Sequence, residues 1–430
     1  MKLKPSATLA MNELISERRK EGEEVYHMGF GESPFPVHSS ISKALCDNAG
    51  QRSYLPTQGI LALREQICKF YKTMFGTEYS PEQVIVGPGS KVLLFDAIMS
   101  LEGPLLVPTP SWVSYDAHAH LSGKEVYYVN TQVEDSYLMT PVILERAIQQ
   151  LDSRPDEQKL LIMNYPCNPT GQSYSASQLR ALSDVAREQN VPILSDEIYA
   201  LLTFQGHKHH SMAEYYPEGT IVTGGLSKDR SAGGFRLGVM LLPKEESDLR
   251  NAILRVASNT WSCVAAPMQY AALEAYQTST ELINYIRDCT ALHELVTMNI
   301  YLRLKDSGIR CPAPKGAFYL FPDWNGDKSA LAEEGVTTSA ALTGLLLRQW
   351  NVASLPGEDF GMAADNLCIR LASVDYNGAR ALERFREDRR KAREDLDEFV
   401  SEIAPKLVTG CVQLGNFTRS IRPAEQGNAH

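Results

Sequence analysis

The chain has 430 residues, which is enough for two domains that each build a hydrophobic core. Hydrophobic residues make up 43% of it and charged residues 22%, as in ordinary soluble globular proteins. The net charge of −10 argues against a nucleic-acid binder, although an acidic protein can still hold a local basic pocket.

The cysteines and the N-terminus indicate the compartment. The eight cysteines are scattered and none forms a C-x-x-C pair, so the sequence predicts neither a zinc site nor a disulfide framework. Residues 1–22 lack the apolar run of a signal peptide, and no later stretch is apolar for long enough to cross a bilayer. We therefore expect a cytoplasmic protein with no membrane contact and no bound metal.

In chain order, residues 1–38 form an N-terminal segment that we expect to pack with the second, smaller domain. Residues 39–289 carry short apolar runs that end in turn residues and alternate with amphipathic segments. That alternation indicates buried parallel strands joined by crossover helices. We predict a large α/β domain with a mostly parallel sheet flanked by helices, whose ligands bind at the carboxyl ends of the strands.

The pattern changes after the large domain. A long amphipathic helix over about 281–307 precedes short mixed segments, which predict a smaller α+β domain over residues 290–385. Residues 386–430 form a C-terminal extension with helical character. Within this region we expect a charged helix over residues 384–406 and a disordered tail over residues 419–430.

One glycine-rich stretch, TGGLSKDRSAGGFRLG at residues 223–238, places Lys228 among small residues that let a flat cofactor approach the backbone. A lysine that attacks a carbonyl group must lose its proton near neutral pH, and a desolvated site beside other cations promotes that loss. Arg236 can supply such a cation and can hold a phosphate with its planar guanidinium group. The alternative is a flexible glycine loop with two solvated basic residues.

Other polar residues follow predicted strands. Asp196 and Tyr199 stand in SDEIYA, where a buried carboxylate needs a cationic partner such as a protonated pyridine nitrogen. Tyr199 can then bond the phenolate oxygen of the same ring, and Asn168, held in the stiff segment NYPCNPTG, can donate to that oxygen too. The alternative for the Asp–Tyr pair is a helix cap with a packed tyrosine.

Two further segments suit the same ligand. GPGSK at residues 87–91 follows a strand and opens a helix, so its backbone N–H groups suit a phosphate. Trp112 follows PTPS, where its indole either stacks on a ring or packs in the core.

Taken in this order, these segments resemble the fold-type-I pyridoxal-phosphate enzymes of the class I/II aminotransferase family, from about residue 4 to about residue 385. The resemblance implies that Lys228 forms a Schiff base with the cofactor and that Asp196 pairs with its pyridinium nitrogen. The other cofactor contacts that it implies are Asn168 and Tyr199 on the phenolate oxygen, Trp112 on the ring, and Gly89, Ser90 and Arg236 on the phosphate.

The resemblance also implies partners and substrates. Tyr54 matches a tyrosine that reaches the phosphate in the neighbouring subunit, which implies a homodimer with shared active sites. The implied substrate contacts are Arg370 in LCIRLASVD and the backbone of Gly31 on the α-carboxylate, with Asn168 nearby, and Thr8 and Lys91 on a distal carboxylate. This last pair is similar to the aspartate and prephenate aminotransferase branch. Arg370 as a surface arginine and Lys91 as a solvated lysine are the alternatives.

The expected activity is therefore amino-group transfer between an L-amino acid, with aspartate or glutamate favoured, and a 2-oxo acid. Some residues depart from that branch: GESPFPVH lacks its usual acidic residue, and Phe235 replaces its tryptophan. SKDxxxxGFRxG is also similar to aminocyclopropane-carboxylate synthases, so a synthase or lyase with the same cofactor is the alternative function. HKHH at residues 207–210 is interpreted as a solvated loop rather than a metal site.

Overall fold

The computed structural model describes residues 7–151, 158–244 and 246–422, without the side chains of residues 7–10 and 12. Its largest sheet has seven strands, in the spatial order β2 (Val84–Gly87), β8 (Gly238–Leu241), β7 (Thr220–Gly225), β6 (Ile193–Asp196), β5 (Leu160–Asn164), β3 (Leu105–Thr109) and β4 (Val126–Asn130). Strand β8 runs antiparallel to both neighbours, and the other described pairs are parallel.

Helices cover this sheet, as the apolar strands require. All residues of β2, β6, β7 and β8 are buried, which is typical of strands that are covered on both faces. The prediction of a large, mostly parallel α/β domain is confirmed. Its helices are α2 (Ser39–Asp47), α3 (Leu61–Phe75), α4 (Ser90–Ser100), α5 (Ser114–Leu121), α6 (Pro141–Gln150), α7 (Ala176–Glu188), α8 (Ser247–Thr260) and α9 (Ala266–Ala275).

The smaller α+β part has two sheets. One is a parallel pair, β1 (Tyr26–His27) with β10 (Val352–Ala353), and the other is antiparallel, in the order β11 (Leu355–Pro356), β12 (Ile369–Ala372) and β9 (Tyr319–Leu320). Its helices are α1 (Ala7–Lys20), α10 (Thr280–Asp306), α11 (Lys328–Glu333), α12 (Ser339–Trp350) and α13 (Gly378–Glu387). The long helix predicted over about 281–307 is α10.

The C-terminal extension differs from the expected single charged helix. It contains α14 (Lys391–Glu394), α15 (Leu396–Ile403) and α16 (Pro405–Ile421), so the predicted 384–406 helix is broken into short pieces. Helix α16 also includes the first residues of the segment expected to be disordered, because its apolar face is buried against α10, α12 and β1. Residues 423–430 lie outside the described part of the chain.

Polar contacts fasten α16 to the small domain. The indole N–H of Trp324 donates to Thr418 Oγ1 at 2.9 Å, and both residues are buried. Arg422 donates from Nε and Nη2 to the two carboxylate oxygens of Asp327, each at 2.9 Å. These contacts, one buried and one at the surface, hold the extension against the α+β part of the chain. No helix in the described residues is long and apolar enough to span a membrane.

Candidate active site

A pocket of about 390 Å³ opens at the carboxyl edge of the large sheet. Asn164 pairs in register with Asp196, and Asp196 with Thr223, so β5, β6 and β7 end together and deliver polar side chains to one place. The residues predicted from the sequence that line this pocket are Gly31, Ser90, Lys91, Trp112, Asn168, Asp196, Tyr199, Lys228, Arg236 and Arg370.

The other predicted site residues lie elsewhere. Gly89 stands one residue before the pocket-lining Ser90, against the side chain of Arg236. Tyr54 is 92% exposed and is not part of the pocket lining within this chain. The side chain of Thr8 falls outside the described part of the chain, so its predicted role stays a prediction.

Lys228 stands just after β7, in the turn that the small residues of 223–238 allow. Its Nζ donates to the carbonyl oxygen of Gly31 at 2.9 Å. The same Nζ lies 5.8 Å from the ring centroids of Tyr199 and of Phe318. The amine is thus held between the large domain and the N-terminal segment, and it faces the pocket.

Asp196 is the buried acid at the end of β6. Its Oδ2 accepts from Tyr115 Oη at 2.8 Å, and its Oδ1 accepts from Thr223 Oγ1 at 3.3 Å and from the Ile198 N–H at 3.4 Å. Burial raises the pKa of this carboxyl to about 6. Because these donors are neutral, a cation placed in the pocket would meet an oriented carboxylate there.

An anion cradle forms where β2 passes into α4. The helix begins at Ser90, so its first N–H groups and its positive dipole end meet the pocket. Gly89 has φ +94°, and a Cβ there would lie 2.4 Å from Arg236 Nη2, so glycine is needed for the guanidinium group to lie against this turn. Arg236 Nη1 in turn donates to the Gly233 carbonyl oxygen at 2.7 Å.

Arg370 lies on β12 and is 1% exposed. Its Nη2 donates to the Gly29 carbonyl oxygen and its Nη1 donates to Asn168 Oδ1 at 3.3 Å, while its Nε is buried with no partner among the described residues. Asn168 is itself held by its N–H, which donates to Asn164 Oδ1 at 2.8 Å. A buried guanidinium group with no acid beside it in these contacts suits a carboxylate ligand.

Two tyrosines that line or support the pocket were not predicted. Tyr319 Oη is 2.9 Å from Tyr199 Oη, and its ring lies 4.9 Å below the Arg370 guanidinium group. Tyr115 bonds Asp196 as described above. Tyr115 stands at the start of α5, three residues after Trp112, whereas Tyr319 lies far along the chain with no local signal.

Lys91 and Trp112 lie next to each other in the pocket lining. Lys91 Nζ lies 5.0 Å from the Trp112 ring, whose edge meets the Tyr115 ring at 5.3 Å. Partial burial and the charges of Arg236 and Lys228 lower the pKa of Lys91. The acids in the lining are Asp196 and Glu32, so the pocket concentrates positive charge inside an acidic protein.

The interpretation of HKHH as a solvated loop is wrong for one of its residues. His209 is buried, and its Nε2 lies 2.9 Å from Glu197 Oε2. Glu197 also accepts from the hydroxyls of Ser195 and Ser211, each at 2.9 Å, so its charge is satisfied inside the fold. No cluster of three or more metal-binding side chains occurs among the residues that the structure describes.

These residues fit pyridoxal phosphate on chemical grounds. The α4 N-terminus with Arg236 forms a cradle for a dianion, and the fixed carboxylate of Asp196 suits a protonated ring nitrogen. Lys228 supplies an amine on the same pocket wall, and the unpartnered Nε of Arg370 leaves a donor for a substrate carboxylate.

Comparison with known proteins agrees with this geometry. The family model described as aminotransferase class I and II matches residues 24–383. An aspartate aminotransferase of Geobacillus stearothermophilus is 35% identical over 86% of this chain and 93% of its own. A probable aspartate/prephenate aminotransferase of Rhizobium leguminosarum bv. phaseoli is 32% identical over 89% and 96%.

Solved structures give the same result. The aspartate aminotransferase from Thermus thermophilus with maleate superposes with a TM-score of 0.78 at 29% identity, covering 90% of this chain and 97% of that one. The predicted fold type and the predicted transaminase activity are thereby confirmed. The chain belongs to the class I and II aminotransferases, which are enzymes that depend on pyridoxal phosphate.

Proposed function

We propose that the chain transfers the amino group of a dicarboxylic L-amino acid to a 2-oxo acid, with the pocket residues in the roles predicted above. One observation carries this proposal. The amine of Lys228 and the guanidinium group of Arg370 are both held by carbonyl groups of a single segment, those of Gly31 and Gly29. A base and a carboxylate receptor thus stand beside each other, as the reaction of an α-amino acid requires.

The cofactor would be held by residues from several strand ends. Its phosphate would be bound by Gly89, Ser90 and Arg236, and its ring nitrogen by Asp196. Asn168 and Tyr199 would contact the phenolate oxygen, and Trp112 would lie on the ring face. When bound, pyridoxal phosphate supplies a carbonyl group for the amine and a ring that accepts electrons from the substrate Cα. Asp196 favours that role because its negative charge keeps a ring nitrogen protonated.

Lys228 then acts as the base. Its Nζ, as a free amine, takes the proton from the substrate Cα, and its contact with Gly31 holds it on the pocket wall where that proton is presented. Arg370, with Gly31, holds the α-carboxylate and so fixes which Cα bond faces the lysine. Tyr199 stays a neutral phenol, because burial raises its pKa well above the usual range.

The proposal is tested by the visible absorption spectrum of the purified protein before and after L-aspartate alone is added. Conversion of the cofactor band by aspartate, with release of one equivalent of oxo acid, is the expected result. A band that aspartate leaves unchanged but S-adenosylmethionine alters would support the synthase or lyase alternative instead. A protein without any band after pyridoxal phosphate is added would contradict the assignment of Lys228.

Lys91 should set the preference for dicarboxylic substrates, since its ammonium group lies in the pocket lining beside Trp112. In Lys91→Met we expect the KM for L-aspartate to rise about 10- to 100-fold, the value of one or two hydrogen bonds to a charged group. The KM for L-alanine, which has no distal carboxylate, should stay unchanged. Steady-state kinetics with both amino acids measure this, and an equal change for the two substrates would contradict it.

The proposal includes a homodimer with shared sites and a cytoplasmic location. Tyr54 is largely exposed, as a residue that serves a neighbouring subunit would be in a single chain, and the eight cysteines are unbonded. Sedimentation velocity should therefore give twice the chain mass. A monomer that is fully active would contradict the shared site, and Tyr54 would then have no role in catalysis.

A further inference from the structure

A chain of hydrogen bonds joins three residues that are not part of the pocket lining. Ser33 Oγ is 2.7 Å from Ser231 Oγ and 3.3 Å from His293 Nε2. Ser33 belongs to the segment that carries Gly29 and Gly31, Ser231 belongs to the lysine loop, and His293 projects from α10. Three separate parts of the chain therefore meet at one hydroxyl group.

The direction of these bonds follows from the imidazole. His293 is fully buried, and its ring centroid lies 4.9 Å from each of the rings of Phe35 and Phe318. Burial and the positive charge of Lys228 lower its pKa to about 3, so the ring is neutral and carries one proton. Its Nδ1 is buried with no partner among the described residues. A buried acceptor nitrogen without a hydrogen-bond partner costs less free energy than a buried N–H without one.

The proton therefore lies on Nε2, which donates to Ser33 Oγ, and the Ser33 hydroxyl donates to Ser231 Oγ. Ser231 in turn makes a side-chain hydrogen bond with Tyr285, whose Oη donates to the Pro36 carbonyl oxygen at 2.6 Å. Each hydroxyl group accepts one hydrogen bond and donates the next. The chain therefore runs from His293 on α10 through the segment of Ser33 and the lysine loop, and returns to α10 at Tyr285. The donors of such a one-way chain all keep their acceptors only while both loops stay in place.

The backbone conformation of Ser231 shows that surrounding contacts hold this residue in position. Ser231 has φ +53°, in the left-handed region that non-glycine residues rarely adopt. A strained residue of this kind persists only where surrounding contacts hold it, and the bond to Ser33 is the short contact at that point. Ser231 stands three residues after Lys228, so holding it also holds the lysine turn.

We propose that Ser33, Ser231 and His293 form a clamp of positioning residues that sets the Lys228 amine against the Gly29–Gly31 segment, where the substrate carboxylate binds. The inference rests on the proposed function, because it concerns the alignment of that base with that carboxylate. The clamp touches neither substrate nor cofactor, and its effect passes through the Gly31 carbonyl and the lysine turn.

The test compares Ser33→Ala with Thr297→Val as a matched control. Thr297 stands one helical turn beyond His293 on α10, and its Oγ1 makes a buried 2.7 Å bond with Ser373 Oγ outside the pocket lining. Both variants lose a hydroxyl–hydroxyl bond of 2.7 Å, and Ser33→Ala also loses the bond to His293. For Ser33→Ala we expect kcat with L-aspartate to fall about 10- to 100-fold, as a small displacement of reacting groups does, with a smaller change in KM. Thr297→Val should keep the wild-type kcat.

A second readout does not depend on turnover. Cofactor-free Ser33→Ala should acquire the visible band of bound pyridoxal phosphate about tenfold more slowly than Thr297→Val, since its lysine is less well placed. His293→Gln, whose amide nitrogen reaches the Nε2 position, should retain most of the wild-type kcat, and His293→Asn, which ends at the Nδ1 position, should resemble Ser33→Ala.

The outcomes separate this inference from the proposed function. If the wild-type protein is not converted by aspartate, the proposed function fails, and the rate of cofactor-band formation in Ser33→Ala against Thr297→Val then decides the clamp by itself. If the wild type is converted but Ser33→Ala matches Thr297→Val in kcat and in band formation, the clamp alone is wrong. If His293→Asn is as active as His293→Gln, the assigned proton direction and the clamp are overturned.

Discussion

Replacing Lys228 with alanine should lower kcat by about 10,000-fold or more, because one side chain supplies both the covalent attachment and the base for the Cα proton. Lys228 Nζ is the amine that contacts the Gly31 carbonyl oxygen, beside the proposed carboxylate site. The measurement is single-turnover conversion of the bound cofactor by L-aspartate, followed by absorption. Lys228→Arg should be equally inactive, since a guanidinium group keeps the charge but cannot become a free base.

An exposed lysine provides the control. Lys208→Ala removes the same side chain from the HKHH segment and should leave the single-turnover rate unchanged. Residual conversion in Lys228→Ala above a hundredth of the wild-type rate would exceed what a site without its base can supply. It would show that another group removes the Cα proton.

The second large effect is expected at Asp196. Asp196→Asn keeps the shape and most hydrogen bonds of the side chain but removes the charge that would face a ring nitrogen. We expect kcat to fall about 100- to 1000-fold, as when a preorganised electrostatic contact is lost. The affinity for pyridoxal phosphate should fall about 10- to 100-fold, the value of one hydrogen bond to a charged group. Equilibrium dialysis and steady-state kinetics measure the two quantities.

The pH dependence identifies the charge as the cause. Since burial raises the pKa of Asp196 to about 6, the free pocket holds a neutral acid below that pH and must lose a proton when a cation binds. Cofactor affinity of the wild type should therefore fall by up to about tenfold per pH unit below about 6. The cofactor affinity of Asp196→Asn should not show this fall. The ionisation of the cofactor's phosphate near the same pH changes the affinity of both proteins equally.

Asp96 provides a matched control for both measurements. It is a second buried carboxyl whose pKa burial raises to about 6, and its Oδ2 accepts from the Trp261 indole at 2.9 Å, away from the pocket lining. Asp96→Asn should leave the cofactor affinity and its pH profile as in the wild type. If Asp96→Asn removes the pH component as Asp196→Asn does, the assignment to Asp196 is wrong.

The residues that could be predicted from the sequence are those whose signal is local. Asp196 ends β6, while Asn168 and Lys228 lie in the turns that follow β5 and β7. The carboxyl ends of parallel strands meet at one edge, so the proximity of these residues could be expected. The mostly parallel sheet could be predicted for the same reason. The domain boundary predicted near residue 290 falls inside α10 and stays a prediction.

What could not be predicted depends on contacts between distant segments. Ser33 and His293 are separated by 260 positions, and no spacing rule links a serine before a proline to one histidine in a long helix. His209 looked solvated because its neighbours are polar, yet it is buried against Glu197, which no local pattern indicated. The charged residues of the extension likewise concealed the apolar face that buries α16.

The packing of α16 on β1, described above, brings the two ends of the described chain into one core. On the ribosome, the strands and helices of the large sheet are all available well before residue 405 is synthesised, so that sheet can fold first. Strand β1 and the adjoining segment of Gly29 and Gly31 must wait for β10 and α16, which is a late and long-range closure. A nascent chain that has not yet released α16 is therefore expected to hold a folded cofactor cradle beside an unfinished carboxylate site.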